Sequence, residues 1–358
     1  MNRITRLVGA ILIGAIAGAD DHPPGSTWEP QTSGTKARFR GLSVGGRGVA
    51  WASGTGGTVT RTTDGGSHWS LRIVPGAESL DFRDVHGFDE RSALVVASGA
   101  GPLSKVLGTT DGGETWTVRL ANPDPAGFFD AIALADDRRG LLLADPIDGR
   151  FAIFRTDNAG ATWTRGPTEG MPPALEGEGA FAASGTCLAV RGDSAWFGTG
   201  GGGVSRVFRS TDFGRTWAAG ETPIPADNPS SGVFSIAFRD ADHGVAVGGD
   251  YKIPGPTDRV VAATTIDGGR TWIAARSGPS GYRSAVAYLP GTSRLLAVGP
   301  GGADVSDDDG ATWRRLPDPR GHHSAGFDPS LGGTKSASGL AVGDDGMISR
   351  FVAVIGRE

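Results

Sequence analysis

Six times along this chain, a short run of hydroxyl residue, Asp, Gly and Trp recurs. The copies are Thr62-Thr-Asp64-Gly-Gly66-Ser-His-Trp69, Thr109-Thr-Asp111-Gly-Gly113-Glu-Thr-Trp116 and Thr156-Asp-Asn158-Ala-Gly160-Ala-Thr-Trp163. The other three are Ser210-Thr-Asp212-Phe-Gly214-Arg-Thr-Trp217, Thr265-Ile-Asp267-Gly-Gly269-Arg-Thr-Trp272 and Ser306-Asp-Asp308-Asp-Gly310-Ala-Thr-Trp313. Their tryptophans lie 47, 47, 54, 55 and 41 residues apart. A fixed period of this length is the mark of a repeat architecture, and 40–50 residues is the length of a four-stranded propeller blade.

The chemistry of each copy is that of a tight hairpin. Hydroxyl and carboxylate side chains bind nearby backbone N–H groups and hold a turn. Glycine takes the positive φ that such a turn demands. The Trp packs beneath it, burying about 150–250 Å², or roughly 4–6 kcal/mol gross at about 25 cal/mol per Å². Sixty glycines in 358 residues agree with many short strands and tight turns. The turn is too short of spaced ligands to be a calcium loop.

A strand pair precedes each copy. The first strands align as Phe39-Arg40-Gly41, Phe82-Arg83-Asp84, Phe128-Phe129-Asp130, Ala180-Phe181-Ala182, Val233-Phe234-Ser235, Tyr282-Arg283-Ser284 and His322-His323-Ser324. The seventh copy ends without its turn. Ser26-Thr27-Trp28 supplies the missing Thr-Trp, so residues 26–32 are expected to form the outer strand of the seventh blade. The expected fold is all-β: a seven-bladed propeller of four-stranded antiparallel blades over residues 26–353, closed by its N-terminal strand. Closure removes the exposed sheet edges of a cut ring.

The turn is the Asp-box of sialidase-like, or BNR, repeats. With seven copies, and with Gly244–Gly248 followed by Asp267–Trp272, the chain resembles the photosystem II stability/assembly factor family. That resemblance implies binding and assembly help rather than catalysis, although some bacterial relatives carry glycosyl-hydrolase or oxidoreductase labels. It also implies that the first strand of each blade lines the central channel.

In the alignment above, Arg40, Arg83, Phe129, Phe181, Phe234, Arg283 and His323 then meet at the channel mouth, with the cations on one half and the phenylalanines on the other. Arg binds carboxylate and phosphate bidentately, while aromatic faces suit apolar or sugar surfaces. The structural alternative is that the rings plug the channel and the arginines pair with Asp84, Asp130 or Glu178. Asp145, Asp148, Asp250 and Tyr251 stand on loops of the same face as a candidate rim.

Three functions follow from these residues. The first is a non-catalytic binding propeller whose partner is a protein segment, an anionic small molecule or a glycan. The second is a sialidase-like glycoside hydrolase using Tyr251 or Tyr282 with Asp145 or Asp250; the Arg-Ile-Pro motif of that family is absent. The third is an oxidoreductase, against which no Gly-x-Gly-x-x-Gly enters a helix. No cofactor or metal is expected.

Arg3 and Arg6, the uncharged run Leu7–Ala19 and its small-residue end form a signal-peptide pattern over residues 1–19. The expected product is secreted or periplasmic, with a linker at 20–25 and a tail at 354–358. Without the leader, 32 basic residues face 39 acidic ones, which speaks against nucleic acid and an anionic membrane. The lone Cys187 lies among apolar neighbours and cannot form an internal disulfide. A monomer is expected.

Overall fold

A computed structural model describes residues 27–317, 321–328 and 336–354. The leader, the linker and residues 355–358 of the tail lie outside the described residues. Seven four-stranded antiparallel sheets follow one another along the chain. In six of them the strands run in sequence order from the inside out. The seventh joins His322–Phe327, Ser336–Gly343 and Ile348–Val354 to the N-terminal strand Thr27–Gln31. The register of that closure sets Trp28 opposite Phe351. The Trp28 ring stacks on His322 and tilts against Phe351, both at 4.7 Å between centroids.

Strands buried on both faces read as continuous apolar runs, and the second strands here do so: Ala93–Ala97 and Leu295–Gly299 are buried throughout. Their side chains pack into the neighbouring blade. Phe151, Phe197 and Phe208 join blades three and four, and Trp196 stacks on Phe238 at 3.8 Å between blades four and five. The Asp-box residues tie down the turn between the third and fourth strands. Thr62 Oγ1 donates to Asp64 Oδ1 and accepts from Gly66 N, both at 2.9 Å. Asn158 does the same work as Asp, accepting from Thr162 N at 2.9 Å and donating through Nδ2 to Thr162 Oγ1 at 2.8 Å.

Strand pairing gives a structural register for the inner strands. In blades one, two, five and seven the pairing skips a single residue: Arg40, Arg83, Phe234 and His323. Such a bulge re-aims one side chain. The residue before each bulge is fully buried: Phe39, Phe82, Val233 and His322 are all 0% exposed.

Blades three and six follow the same geometry one residue out of step with the sequence alignment. In blade three Phe129 pairs with Ala144 and the skipped residue is Asp130. In blade six a Cβ on Gly299 would meet Arg283 Cα at 3.0 Å, as one on Gly54 would meet Phe39 Cα at 3.1 Å. Arg283 therefore takes the buried Phe39 position. In blade four the inner strand is Leu188–Arg191, so Ala180–Ala183 is not a strand but part of an extra segment leading into it.

That segment fills the channel. Ser184 Oγ donates to the carbonyl of Ser284 in blade six at 2.7 Å, and Ser324 of blade seven donates to the Ser184 carbonyl at 3.3 Å. Thr186 and Ser235 share a hydroxyl contact at 2.6 Å. The channel is thus closed by the chain itself, through polar groups that satisfy one another.

Candidate functional site

Five of the seven expected mouth residues come together. Arg40 is the central one. Its Nε is buried without a hydrogen-bond partner, and its guanidinium has no ion pair among the described residues. Burial first, and then the charge of Arg83, pull its pKa below the ordinary guanidinium value. Arg83 is held by Asp81, Nε to Oδ2 at 2.8 Å, and lies 5.8 Å from the Phe128 ring centre. His323 Nε2 is 3.0 Å from Asp344 Oδ1, which also takes Arg38 Nε at 2.7 Å. Burial lowers the His323 pKa, with Asp344 opposing, so the neutral ring is favoured.

The aromatic half is built from Phe181 and Phe234, stacked at 3.8 Å. Tyr282 meets Phe234 edge-on at 4.8 Å, and Tyr251 does so at 6.1 Å. Tyr282 is near enough to Arg40 for each to influence the other's ionisation. The split between cationic and aromatic halves is therefore present, but with Tyr282 in it.

Two expected members are elsewhere, because the sequence alignment put them one residue out. Phe129 is 0% exposed and packs edge-on against Phe154 at 5.5 Å, in the core between blades two and three. Arg283 is also 0% exposed; its Nε donates to Asp304 Oδ2 at 2.7 Å. It is a buried structural ion pair, not a mouth residue. The anticipated carboxylate partners are engaged differently too. Asp84 accepts from the backbone of Val85 and Ile132, each at 2.7 Å, and burial still raises its pKa to about 8. Glu178 holds Arg206 at 2.8 Å. Asp130 is fully buried and its carboxyl has no hydrogen-bond partner among the described residues, so burial, and then Asp145, drive its pKa well up.

Of the candidate rim, Asp148 and Tyr251 are exposed. Asp250 accepts from Asn228 Nδ2 at 3.0 Å and Lys252 N at 2.9 Å. Asp145 is a tether rather than a rim: its Oδ1 accepts from Ala180 N at 2.9 Å and anchors the segment that closes the channel. Of the glycoside-hydrolase candidates, Asp145 and Asp250 are thus hydrogen-bonded to their neighbours. Tyr282 is only 3% exposed, and burial pushes its hydroxyl far above its usual pKa. Cys187 is buried, and burial raises its thiol pKa. Among the described residues no group of three or more His, Cys, Asp or Glu is placed to hold a metal ion.

Residues 22–185 match the family model of photosystem II assembly factor YCF48. Over those residues the chain is similar to photosystem II assembly factors, and its fold is a seven-bladed propeller. Among solved structures, YCF48 bound to a D1 peptide is 20% identical with a TM-score of 0.64, covering 93% of this chain and 98% of that one. YCF48 from Cyanidioschyzon merolae is 20% identical with a TM-score of 0.58, covering 90% and 98%. The GH74 xyloglucanase from Xanthomonas campestris is 17% identical with a TM-score of 0.58, covering 91% of this chain but 53% of that enzyme. At these identities the structural likenesses speak to fold. No curated protein matches the chain.

Proposed function

We propose that this assembly factor-like propeller is a non-catalytic binding protein that takes up a protein segment at the channel mouth. The observation that carries the reading is Arg40: a largely buried guanidinium with no ion pair among the described residues, close to Tyr282, whose ring meets Phe234. Such a group is costly to leave unpaired in a low-dielectric site. An incoming carboxylate relieves that cost, and the adjacent rings accept an apolar side chain. The family match and the peptide-bound YCF48 structure support a protein segment over other anions. The closed channel supports surface capture rather than threading. Monomeric assembly and export through the leader at residues 1–19 belong to the same proposal.

Calorimetric titration of the full chain tests it, using eight-residue peptides that pair Asp or Glu with Phe or Leu. Saturable binding is expected, weakened at least tenfold by Arg40→Gln and unchanged by Arg276→Gln, whose side chain is 75% exposed. No binding by any acidic peptide, or equal binding by Lys-substituted ones, sinks the proposal. Turnover of xyloglucan oligosaccharides or sialosides would replace it with the hydrolase reading.

A further inference from the structure

A second basic site lies away from the mouth, in a groove of about 610 Å³ between blades three and four. Arg139, Arg155 and Arg165 reach it from blade three; Phe213 and Arg215 come from the Asp-box of blade four. Two of the four guanidiniums are neutralised. Arg139 pairs with Asp136 and Asp193, each at 2.8 Å, and Arg165 pairs with Asp124 at 2.9 Å. Arg155 and Arg215 form no ion pair among the described residues. Arg155 Nε is buried with no hydrogen-bond partner, and the Arg215 fork reaches the Asp212 carbonyl at 3.1 Å.

The floor of the groove is the Phe213 ring. Phe213 has φ +56°, at a box position that is left-handed in all six copies and is held elsewhere by Gly65, Gly112, Ala159, Gly268 and Asp309. Here the ring lies beneath two guanidiniums, 5.0 Å from Arg139 and 5.3 Å from Arg155.

The facing carboxylates are few. Asp157 and Asp193 line the groove, and Asp193 is occupied by Arg139. Asp212 is turned into its own box, accepting from Ser210 Oγ, Thr216 N and Thr216 Oγ1. With Arg139 and Arg165 taken up by Asp136, Asp193 and Asp124, the forks of Arg155 and Arg215 are the two in the groove that no carboxylate pairs among the described residues.

We propose that this groove is a phosphate site, holding the dianionic head of a phosphomonoester between Arg155 and Arg215. A single carboxylate compensates one charge. A tetrahedral dianion compensates two and accepts from two forks on different faces. The groove volume suits a small organic ligand attached to that head. Burial, and then repulsion from Arg215, lower the Arg155 pKa; a bound dianion removes the repulsion.

Titration of the full chain with inorganic phosphate, followed by calorimetry at constant ionic strength, tests the site. Sodium chloride, sulfate and the dipeptide Glu-Glu are the comparison ligands. Phosphate gains its second charge near pH 6–7, so its affinity is expected to rise several-fold from pH 5.5 to 8, while that of sulfate, a dianion throughout, stays flat. Arg155→Gln with Arg215→Gln is expected to weaken phosphate at least tenfold, and the exposed Arg215→Gln alone several-fold, with Arg276→Gln, 75% exposed, without effect. The proposal falls if chloride reproduces the phosphate signal, if the variants bind phosphate like the parent, or if Glu-Glu binds more tightly than phosphate.

Discussion

Arg283 holds its charge in a wholly buried position, where removing its partner leaves an uncompensated cation. Its neighbours accept from it on every side: Asp304 takes Nε, the Tyr282 carbonyl takes one terminal nitrogen and Ser280 Oγ the other. Breaking such a pair costs about 3–5 kcal/mol. Asp304→Ala is therefore expected to lower the urea midpoint by a shift of that size, while Arg40→Gln at the mouth, which removes an unpaired charge, is expected to leave it the same or higher. Asp145 makes a different residue-scale prediction. Burial raises its carboxyl to about 6, above roughly 3.9 in the unfolded chain. The native state then keeps this proton longer than the unfolded one. Its contribution is fully present below about pH 4 and is lost as pH rises through 6. Asp145→Asn retains an acceptor for the Ala180 N–H and has no proton to lose. Urea midpoints measured from pH 4 to 7 should fall less steeply in that variant than in the parent.

At the scale of the element, the Asp-box fastens a hairpin but the Trp beneath it carries more of the stability. Asp111 is solvated at the turn, accepting from Thr109 Oγ1 at 2.8 Å and Thr115 Oγ1 at 2.6 Å. Trp116 packs edge-on to Trp51 of the preceding blade at 6.4 Å. Trp116→Ala is expected to cost about 2–4 kcal/mol, and Asp111→Ala clearly less; paired urea melts rank them. The box was legible in the sequence because the hydrogen bonds that shape its turn are local: the leading Ser or Thr and the Asp find each other and the turn's N–H groups within four residues. Inner-strand register was not, because it depends on which residue bulges. Blades three and six slipped by one residue, since Phe128-Phe129 and Tyr282-Arg283 each offer two ways to match the Phe-Arg of blade one. Blade four slipped further, because residues 180–186 mimic a strand and instead close the channel. The second strands carried the missing signal: Gly54, Ala97, Gly248 and Gly343 each oppose the residue before the bulge. Ala144 and Gly299 hold that place in the two slipped blades. Aligning on those small residues puts Asp130 at the bulge and Arg283 in the core.

The whole molecule is a ring, and its stability depends on the join. Apolar side chains pack each blade against the next, so a gap at one interface exposes two faces. The Thr27–Gln31 strand covers the edge of Ile348–Val354 through five paired positions, and Trp28 closes over His322 and Phe351. His322 is itself fully buried and shares a 3.0 Å contact from Nε2 to Ser349 Oγ. Removing the strand takes away one buried aromatic anchor and leaves a row of open backbone donors and acceptors, which is a template for pairing with another chain. A chain beginning at residue 34 is therefore expected to unfold at lower urea than one beginning at residue 20, by about 3 kcal/mol or more. Because the blades share interfaces around a closed circuit, the loss should appear in the main transition, not as a separate early step. Tryptophan fluorescence melts of the two chains measure the shift, and sedimentation velocity detects association through the uncovered edge. Melts that coincide would mean that the strand is an appendage rather than the clasp of the ring.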